Sequence, residues 1–182
     1  FCVTALGEVP VGTALRRDRA RAGDDLWVSG QPGLAALGLA ALQGECTLPE
    51  ALAARCRTAL ERPLPRVELG LALREEGLAH AAIDVSDGLL ADLGHIAERS
   101  RLRQVGSARQ LQNKPPGVAA LRAQRCQLAG GDDYELAFTA APEKRPALAT
   151  LAARLDLPLW RIGCTRALHD TPPGVTVLDA DG

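Results

Sequence analysis

The chain has 182 residues, of which 47% are hydrophobic, and its 21 Lys and Arg nearly balance 22 Asp and Glu to give a net charge of -1. This composition predicts one soluble globular domain with its own core, and the balanced charge excludes a broad basic surface for nucleic acid or an anionic membrane. No apolar run reaches about 18 residues, and none follows a charged N-terminal region, so neither a membrane span nor a secretion signal is indicated.

The chain begins within an apolar run, residues 1–6, and ends in a turn-like stretch, residues 179–182. It contains no methionine. These features predict a piece of a longer protein, in which residues 1–10 end a preceding domain and residues 11–182 form a C-terminal domain.

Hydrophobic periodicity and turn residues predict alternating strands and helices. The predicted strands are 1–6, a short one around 15–17, 26–30, 81–84, 102–105, 134–139, 159–162 and 175–178. The predicted helices are 33–43, 49–60, 67–76, 89–99, 117–125 and 142–155. Together they indicate an α/β or α+β domain with one mixed β-sheet covered by helices. The aromatic residues of the strand patterns are predicted to be core residues: Trp27, Tyr134, Phe138 and Trp160.

The cysteines number five, with no C-x-x-C motif and no His at metal-ligand spacing. An odd number without such spacing argues against a disulfide framework or a structural zinc site. We therefore expect free, mostly buried thiols in a reducing cytoplasm.

The stretch Asp84-x-Ser86-Asp87 puts two carboxylates and a hydroxyl between a predicted strand and a predicted helix. Carboxylate oxygens suit Mg²⁺, which completes its shell with substrate phosphate, and free N–H groups at the start of a helix favour the phosphate. A simpler interpretation is that Ser86 or Asp87 caps the helix and Asp84 is a solvated turn residue.

A second candidate is the stretch 130–133, where two glycines allow close backbone approach to a ligand and Asp132 and Asp133 follow. Its simpler interpretation is an acidic turn. Arg17 is a candidate phosphate ligand or else a solvated surface residue. His80 and His95 have no Ser or Cys partner in a nucleophile motif, and both are interpreted as surface or capping residues.

Four blocks of this sequence resemble thiamine-monophosphate kinases in order and spacing. The blocks are residues 5–10, residues 15–30 in part, residues 82–96 and residues 130–136. The family belongs to the ATP-using superfamily of aminoimidazole ribonucleotide synthetase, selenophosphate synthetase and the hydrogenase-maturation dehydratase. The resemblance spans nearly the whole chain and implies the C-terminal domain fold of that superfamily.

The resemblance implies Mg²⁺-dependent transfer of the γ-phosphoryl group of ATP to thiamine phosphate, giving thiamine diphosphate in a direct in-line step without a protein nucleophile. It also implies a homodimer for the full-length protein. The residues that match the family's motifs are Asp84 and Asp87 as Mg²⁺ ligands, Ser86 as an ATP contact, Arg17 as an ATP-phosphate contact, and Asp132, with Asp133 beside it, as a substrate contact.

Some expected features are missing. In the family, a domain with further acidic metal ligands precedes Phe1 and an aromatic thiamine contact follows Gly182. Leu34 stands where an acidic residue is expected, and residues 103–116 lack the usual apolar strand. We therefore expect this chain alone to be inactive. Two other hypotheses stay open: a sibling ATP-dependent synthetase that acts on an amide or selenide, and a non-catalytic nucleotide- or phosphate-binding module.

Overall fold

The computed structural model describes residues 4, 6–107, 117–168 and 171–178. The strands are β1 (Asp25–Ser29), β2 (Ala81–Val85), β3 (Arg103–Ser107), β4 (Glu135–Ala140), β5 (Leu159–Arg166) and β6 (Gly174–Leu178). The helices are α1 (Leu34–Leu42), α2 (Glu50–Glu61), α3 (Val67–Glu75), α4 (Leu89–Ser100), α5 (Ala120–Ala129) and α6 (Arg145–Arg154), with a 3₁₀ turn over Pro142–Lys144.

The six strands form one sheet in the order β2-β4-β1-β5-β3-β6. Neighbouring strands are antiparallel except β3 and β6, which are parallel. The sheet is mixed and helices cover it, so the predicted fold class is confirmed.

Two cores lie on opposite faces of the sheet because side chains alternate along each strand. Leu26 and Val28 of β1 pack on one face with Leu93 and Ile96 of α4. Trp27 packs on the other face with α3 and α6, and its ring stacks on Phe138 with centroids 6.3 Å apart. The predictions of a core position for Trp27 and Phe138 are confirmed, and Trp160 is partly buried against the α4 core.

A third, smaller core joins α1, α2 and α5 beside the sheet. Leu37, Leu52 and Cys56 are its buried members, and Cys46 and Cys126 pack against it. Burial raises the pKa of the Cys56 and Cys126 thiols, so both are stabilised in the neutral form. The four described cysteines are free, as predicted, although only Cys56 is fully buried.

The structure corrects three predicted elements. The segment around Arg16 forms no strand and makes one isolated bridge to Ala81. Strand β5 continues past Ile162 because Gly163, without a side chain, lets the backbone of β3 approach closely. Helix α5 starts at Ala120, after Gly117, whose φ of 80° does not fit a helix, and runs on to Ala129.

Two predicted features lie mostly or partly outside the described residues: the strand 1–6 and the segment 103–116, whose first five residues form β3. Within the described part of the chain, no helix is both long and apolar enough to cross a membrane.

Candidate active site

The antiparallel pairing of β2 with β4 brings the two acidic stretches of the sequence together. Val85 at the end of β2 pairs with Glu135 at the start of β4, so the loop 86–88 lies beside the loop 130–134. The backbone N–H of Asp132 donates to the Ser86 carbonyl at 2.9 Å, and that of Tyr134 donates to the Val85 carbonyl at 2.8 Å. The two loops therefore form one rigid rim at an edge of the sheet.

Gly131 makes this close contact between the loops possible. A Cβ at this position would lie 2.5 Å from the Ser86 carbonyl oxygen, which belongs to the backbone and cannot turn away. The close backbone approach that we predicted toward a ligand is made at Gly131 toward the neighbouring loop of the same chain instead.

The loop 86–88 is held by Asp92, a residue of the first turn of α4. The backbone N–H groups of Ser86, Asp87 and Gly88 donate to its Oδ2 at 3.0, 3.1 and 3.2 Å. Asp92 is 2% exposed, and burial raises the pKa of its carboxyl against the effect of these hydrogen bonds.

This arrangement corrects the capping interpretation of the start of α4. The residue before the helix is Gly88, with a φ of 122° and no side-chain cap, so neither Ser86 nor Asp87 caps the helix. The N–H groups of residues 86–88 donate to Asp92 and are not free to bind a phosphate, whereas the first-turn N–H groups of α4 itself, to which the phosphate prediction refers, are not involved in these bonds.

The two acids of the second loop differ in environment. Asp133 is 9% exposed and accepts hydrogen bonds from the N–H groups of Gly33 at 2.6 Å and Ala35 at 3.2 Å, which ties the loop to the start of α1. Burial raises the pKa of Asp133 to about 6. Asp132 is exposed and has a φ of 64°. Asp133 therefore serves the fold, whereas the Asp132 carboxylate faces solvent.

Glu135, the first residue of β4, fixes the C-terminal end of the loop 130–134. It is 6% exposed, receives a bidentate ion pair from Arg66 at 2.6 and 2.7 Å, and accepts a hydrogen bond from the Ser29 hydroxyl at 2.6 Å. The pair joins β4 to the start of α3, and breaking it would leave a buried charge without a partner.

Tyr134 is exposed, at 42%, and the prediction that it is a core residue is wrong. Its φ of 50° turns the side chain out of the strand alternation just before β4 begins. Strained backbone of this kind in a non-glycine residue is concentrated at functional sites.

A cavity of about 640 Å³ runs along the outer edge of β2, beside the rim. Asp84 lines it together with Arg17 and Arg99. The Ser100 hydroxyl donates to the Arg17 carbonyl at 3.1 Å, and this contact holds the end of α4 against the Arg17 segment. The cavity wall therefore carries the charged groups of Asp84, Arg17 and Arg99, together with Arg16 and Asp18, which form an ion pair with each other.

The described residues contain one group of three side chains whose ligand atoms lie within 4.8 Å of one another, namely Asp87, Asp92 and His95. Asp87 and His95 are exposed, as the surface interpretation of His95 requires, whereas Asp92 is buried. Asp84 is not in this group and faces the cavity instead.

The predicted site residues thus form two adjoining sets: Ser86, Asp87 and Asp132 on the rim, and Asp84 with Arg17 at the cavity.

The sequence analysis missed Asp92 and Arg99. An acid in the first turn of a predicted helix was an available signal for Asp92. No local signal marks Arg99, because its place depends on the packing of α4 against a distant segment. His80 is half-buried, and its Nδ1 forms a hydrogen bond with the carboxylate of the buried Asp24 at 2.9 Å.

The fold agrees with the comparisons with known proteins. The model of the family described as AIR synthase related protein, C-terminal domain, matches residues 21–170. The chain belongs to this family.

Within the family, the matched relatives are thiamine-monophosphate kinases, which confirms the resemblance found in the sequence. The chain is 42% identical to the thiamine-monophosphate kinase of Escherichia coli K12 over 164 residues, which cover 86% of this chain and 49% of the relative. The chain spans about half the length of the curated relatives it matches.

Two solved structures show the same architecture. The thiamine-monophosphate kinase of Stenotrophomonas maltophilia K279a has a TM-score of 0.85 at 48% identity, over 93% of this chain and 54% of that one. The structure of AaThiL complexed with AMPPCP and TMP has a TM-score of 0.71 at 27% identity, over 90% of this chain and 50% of that one.

Proposed function

We propose that the whole protein is a thiamine-phosphate kinase, which transfers the γ-phosphoryl group of ATP to thiamine phosphate and forms thiamine diphosphate with the help of Mg²⁺. The names of its relatives support this proposal. So does the AaThiL complex, in which AMPPCP is an ATP analogue and TMP is thiamine monophosphate.

The observation that carries the proposal is a set of exposed charges without partners at one edge of the sheet. Among the described residues, the side chains of Asp84, Asp87 and Asp132 make no hydrogen bond or ion pair, and Arg17 and Arg99 have no carboxylate partner. Other acids of the fold, such as Asp25 and Glu135, are paired with arginines. Unpaired charges that the fold does not use are suited to a charged ligand.

The residue types fit Mg²⁺ and phosphate. Asp84 and Asp87 offer hard, exposed carboxylate oxygens of the kind Mg²⁺ prefers, and the ion supplies neutralisation of phosphate charge. In our proposal the Arg17 guanidinium binds ATP phosphate oxygens, Ser86 contacts ATP, and Asp132 contacts thiamine phosphate. No protein nucleophile is needed, since phosphoryl transfer depends on positioning and charge stabilisation.

We also place the protein in the cytoplasm, where its free cysteines stay reduced, and the full-length protein in a homodimer. The homodimer stays a prediction that sedimentation of the full-length protein would test.

The test is to incubate the whole protein with ATP, Mg²⁺ and thiamine phosphate and to measure thiamine diphosphate and ADP. We expect both products in equal amounts, and none after Mg²⁺ is removed with EDTA. Selenide and formylglycinamidine ribonucleotide, offered in parallel, test the sibling synthetases. Turnover of either of these alone, or nucleotide binding with no turnover of any acceptor, would contradict the proposal.

A further inference from the structure

Among the residues that the structure describes, Asp92 is the one buried acid whose hydrogen bonds all go to the loop that carries the candidate ligands. Its Oδ2 accepts the backbone N–H groups of three consecutive residues, Ser86, Asp87 and Gly88, at 3.0 to 3.2 Å. Three hydrogen bonds that converge on one oxygen of a buried side chain fix the backbone of the loop.

Asp92 itself is held firmly by the helix on which it lies. Its neighbours Leu89, Leu93 and Ile96 are at most 3% exposed and pack against the sheet. The carboxylate is thus attached to a rigid helix, and the loop that it binds also joins that helix to β2. Gly88 adopts a φ of 122°, a conformation that the closed loop requires and that other residues rarely adopt.

The ligand atoms of Asp92 also lie within 4.8 Å of those of Asp87 and His95. A direct role of Asp92 as a metal ligand beside His95 is the competing explanation. The burial of Asp92 argues against it, since Asp87 and His95 are exposed, and the three N–H bonds to Oδ2 leave only Oδ1 for a metal.

We infer that Asp92 is a positioning residue, which holds the backbone of Ser86 and Asp87 so that the Asp87 carboxylate is preorganised for a divalent cation. This inference rests on the proposed function for its catalytic consequence. Its structural part, that Asp92 fixes the loop by accepting three backbone hydrogen bonds, does not depend on any activity.

The first experiment measures amide hydrogen exchange of Ser86, Asp87 and Gly88 by NMR in Asp92→Ala, Asp92→Asn and His95→Ala. We expect exchange at least about tenfold faster in Asp92→Ala, because the common acceptor is lost. Asp92→Asn should lie between this variant and the wild type, since its amide oxygen still accepts. His95→Ala, on the same helix, should leave the three amides unchanged.

The second experiment measures the Mg²⁺ concentration that gives half-maximal turnover of thiamine phosphate by the whole protein. Loss of a residue that orients a metal ligand typically weakens metal binding about 10- to 100-fold, and we expect a rise of this size in Asp92→Ala. The KM for thiamine phosphate should change less than the Mg²⁺ requirement, because Asp132 lies on the other loop and meets the loop 86–88 through the hydrogen bond of its N–H to the Ser86 carbonyl. Asp92→Asn should restore part of the Mg²⁺ affinity, and His95→Ala should behave as the wild type.

Wild-type exchange at all three amides in Asp92→Ala would overturn the inference. An equal rise in the Mg²⁺ requirement in His95→Ala would also overturn it, since Asp92 and His95 would then act together as ligands. If Asp92→Ala does not fold, Asp92→Asn decides both experiments. If the wild type forms no thiamine diphosphate, the proposed function fails, while the exchange rates still decide the role of Asp92.

Discussion

Asp87 carries a charge that the fold itself does not use. Its side chain is exposed and unbonded within the described residues, whereas its backbone N–H is held by Asp92. We expect Asp87→Asn to lower turnover of the whole protein about 100-fold or more, because it removes a ligand charge while keeping the shape. The free energy of unfolding should change by no more than about 0.5 kcal/mol.

Steady-state kinetics and urea unfolding of the same preparation check this prediction. Glu98→Gln is the matched control, since it removes an exposed charge from α4 outside the candidate site. Wild-type turnover in Asp87→Asn would exclude a role of Asp87 in binding the metal.

Asp133 should make stability depend on pH. Burial raises its pKa to about 6 in the folded state, above the value near 3.9 of an unfolded chain. Folding therefore favours the protonated carboxyl, and the resulting stabilisation is fully present below about pH 4 and is lost as the pH rises through 6. The size of the effect is up to about 3 kcal/mol for a shift of this magnitude.

The measurement is urea unfolding of the wild type and Asp133→Asn at pH 4, 5, 6 and 7. We expect the stability of the wild type relative to the variant to fall across this range, because the variant has no carboxyl to titrate at this position. A difference that stays constant with pH would show that Asp133 titrates normally in the folded state.

At the scale of secondary-structure elements, the contact between the two loops can be tested through its glycine. We expect Gly131→Ala to lower the free energy of unfolding by about 1 to 3 kcal/mol, because the added Cβ meets the Ser86 backbone carbonyl. Turnover should fall as well, since Asp132 and Ser86 move apart.

Gly94→Ala provides the opposite control. Gly94 lies within α4, and a Cβ added there has no atom within 4 Å. The substitution should raise stability by about 0.5 to 1 kcal/mol, in line with the helix propensities of glycine and alanine. Thermal unfolding of both variants checks the pair, and equal effects of the two substitutions would refute the close contact at Gly131.

The sequence predicted those elements best whose signals are local. The apolar spacing of Leu89, Leu93 and Ile96 and the following polar residues predicted α4 within one residue of its ends. The continuation of β5 beyond Ile162 was missed, because it depends on the partner strand β3 approaching Gly163.

The candidate site shows the same division. Contiguous motifs singled out Ser86 and Asp132 as candidates, and the structure brings their two loops into contact. The difference in burial between Asp132 and Asp133 could not be predicted from the sequence, where they are two adjacent acids. It arises because the N–H groups at the start of α1 donate hydrogen bonds to Asp133. The exposure of Tyr134 likewise depends on its positive φ, which cannot be predicted from the sequence because aromatic residues rarely adopt it.

For the whole molecule, we predict that residues 1–182 alone fold but do not catalyse. Two cores on opposite faces of a six-stranded sheet provide a stable fold. In-line transfer between two phosphorylated ligands needs a larger set of carboxylates than Asp84, Asp87 and Asp132 provide.

The test is to incubate residues 1–182 with ATP, Mg²⁺ and thiamine phosphate, with the whole protein as a positive control and circular dichroism to show that the chain is folded. We expect no thiamine diphosphate and a much weaker affinity for nucleotide than in the whole protein. Robust turnover would show that the residues described here are sufficient for the reaction.

The position of β1 in the sheet also affects how the protein folds during its synthesis. Its two neighbours, β4 and β5, come late in the chain, and 106 residues separate Ser29 from Glu135. At about 5 to 20 residues per second, a ribosome needs roughly 5 to 20 s to make this stretch. Throughout that time the apolar side chains of Leu26, Trp27 and Val28 have no sheet partner, so the nascent chain is a natural substrate for chaperones that bind short hydrophobic segments.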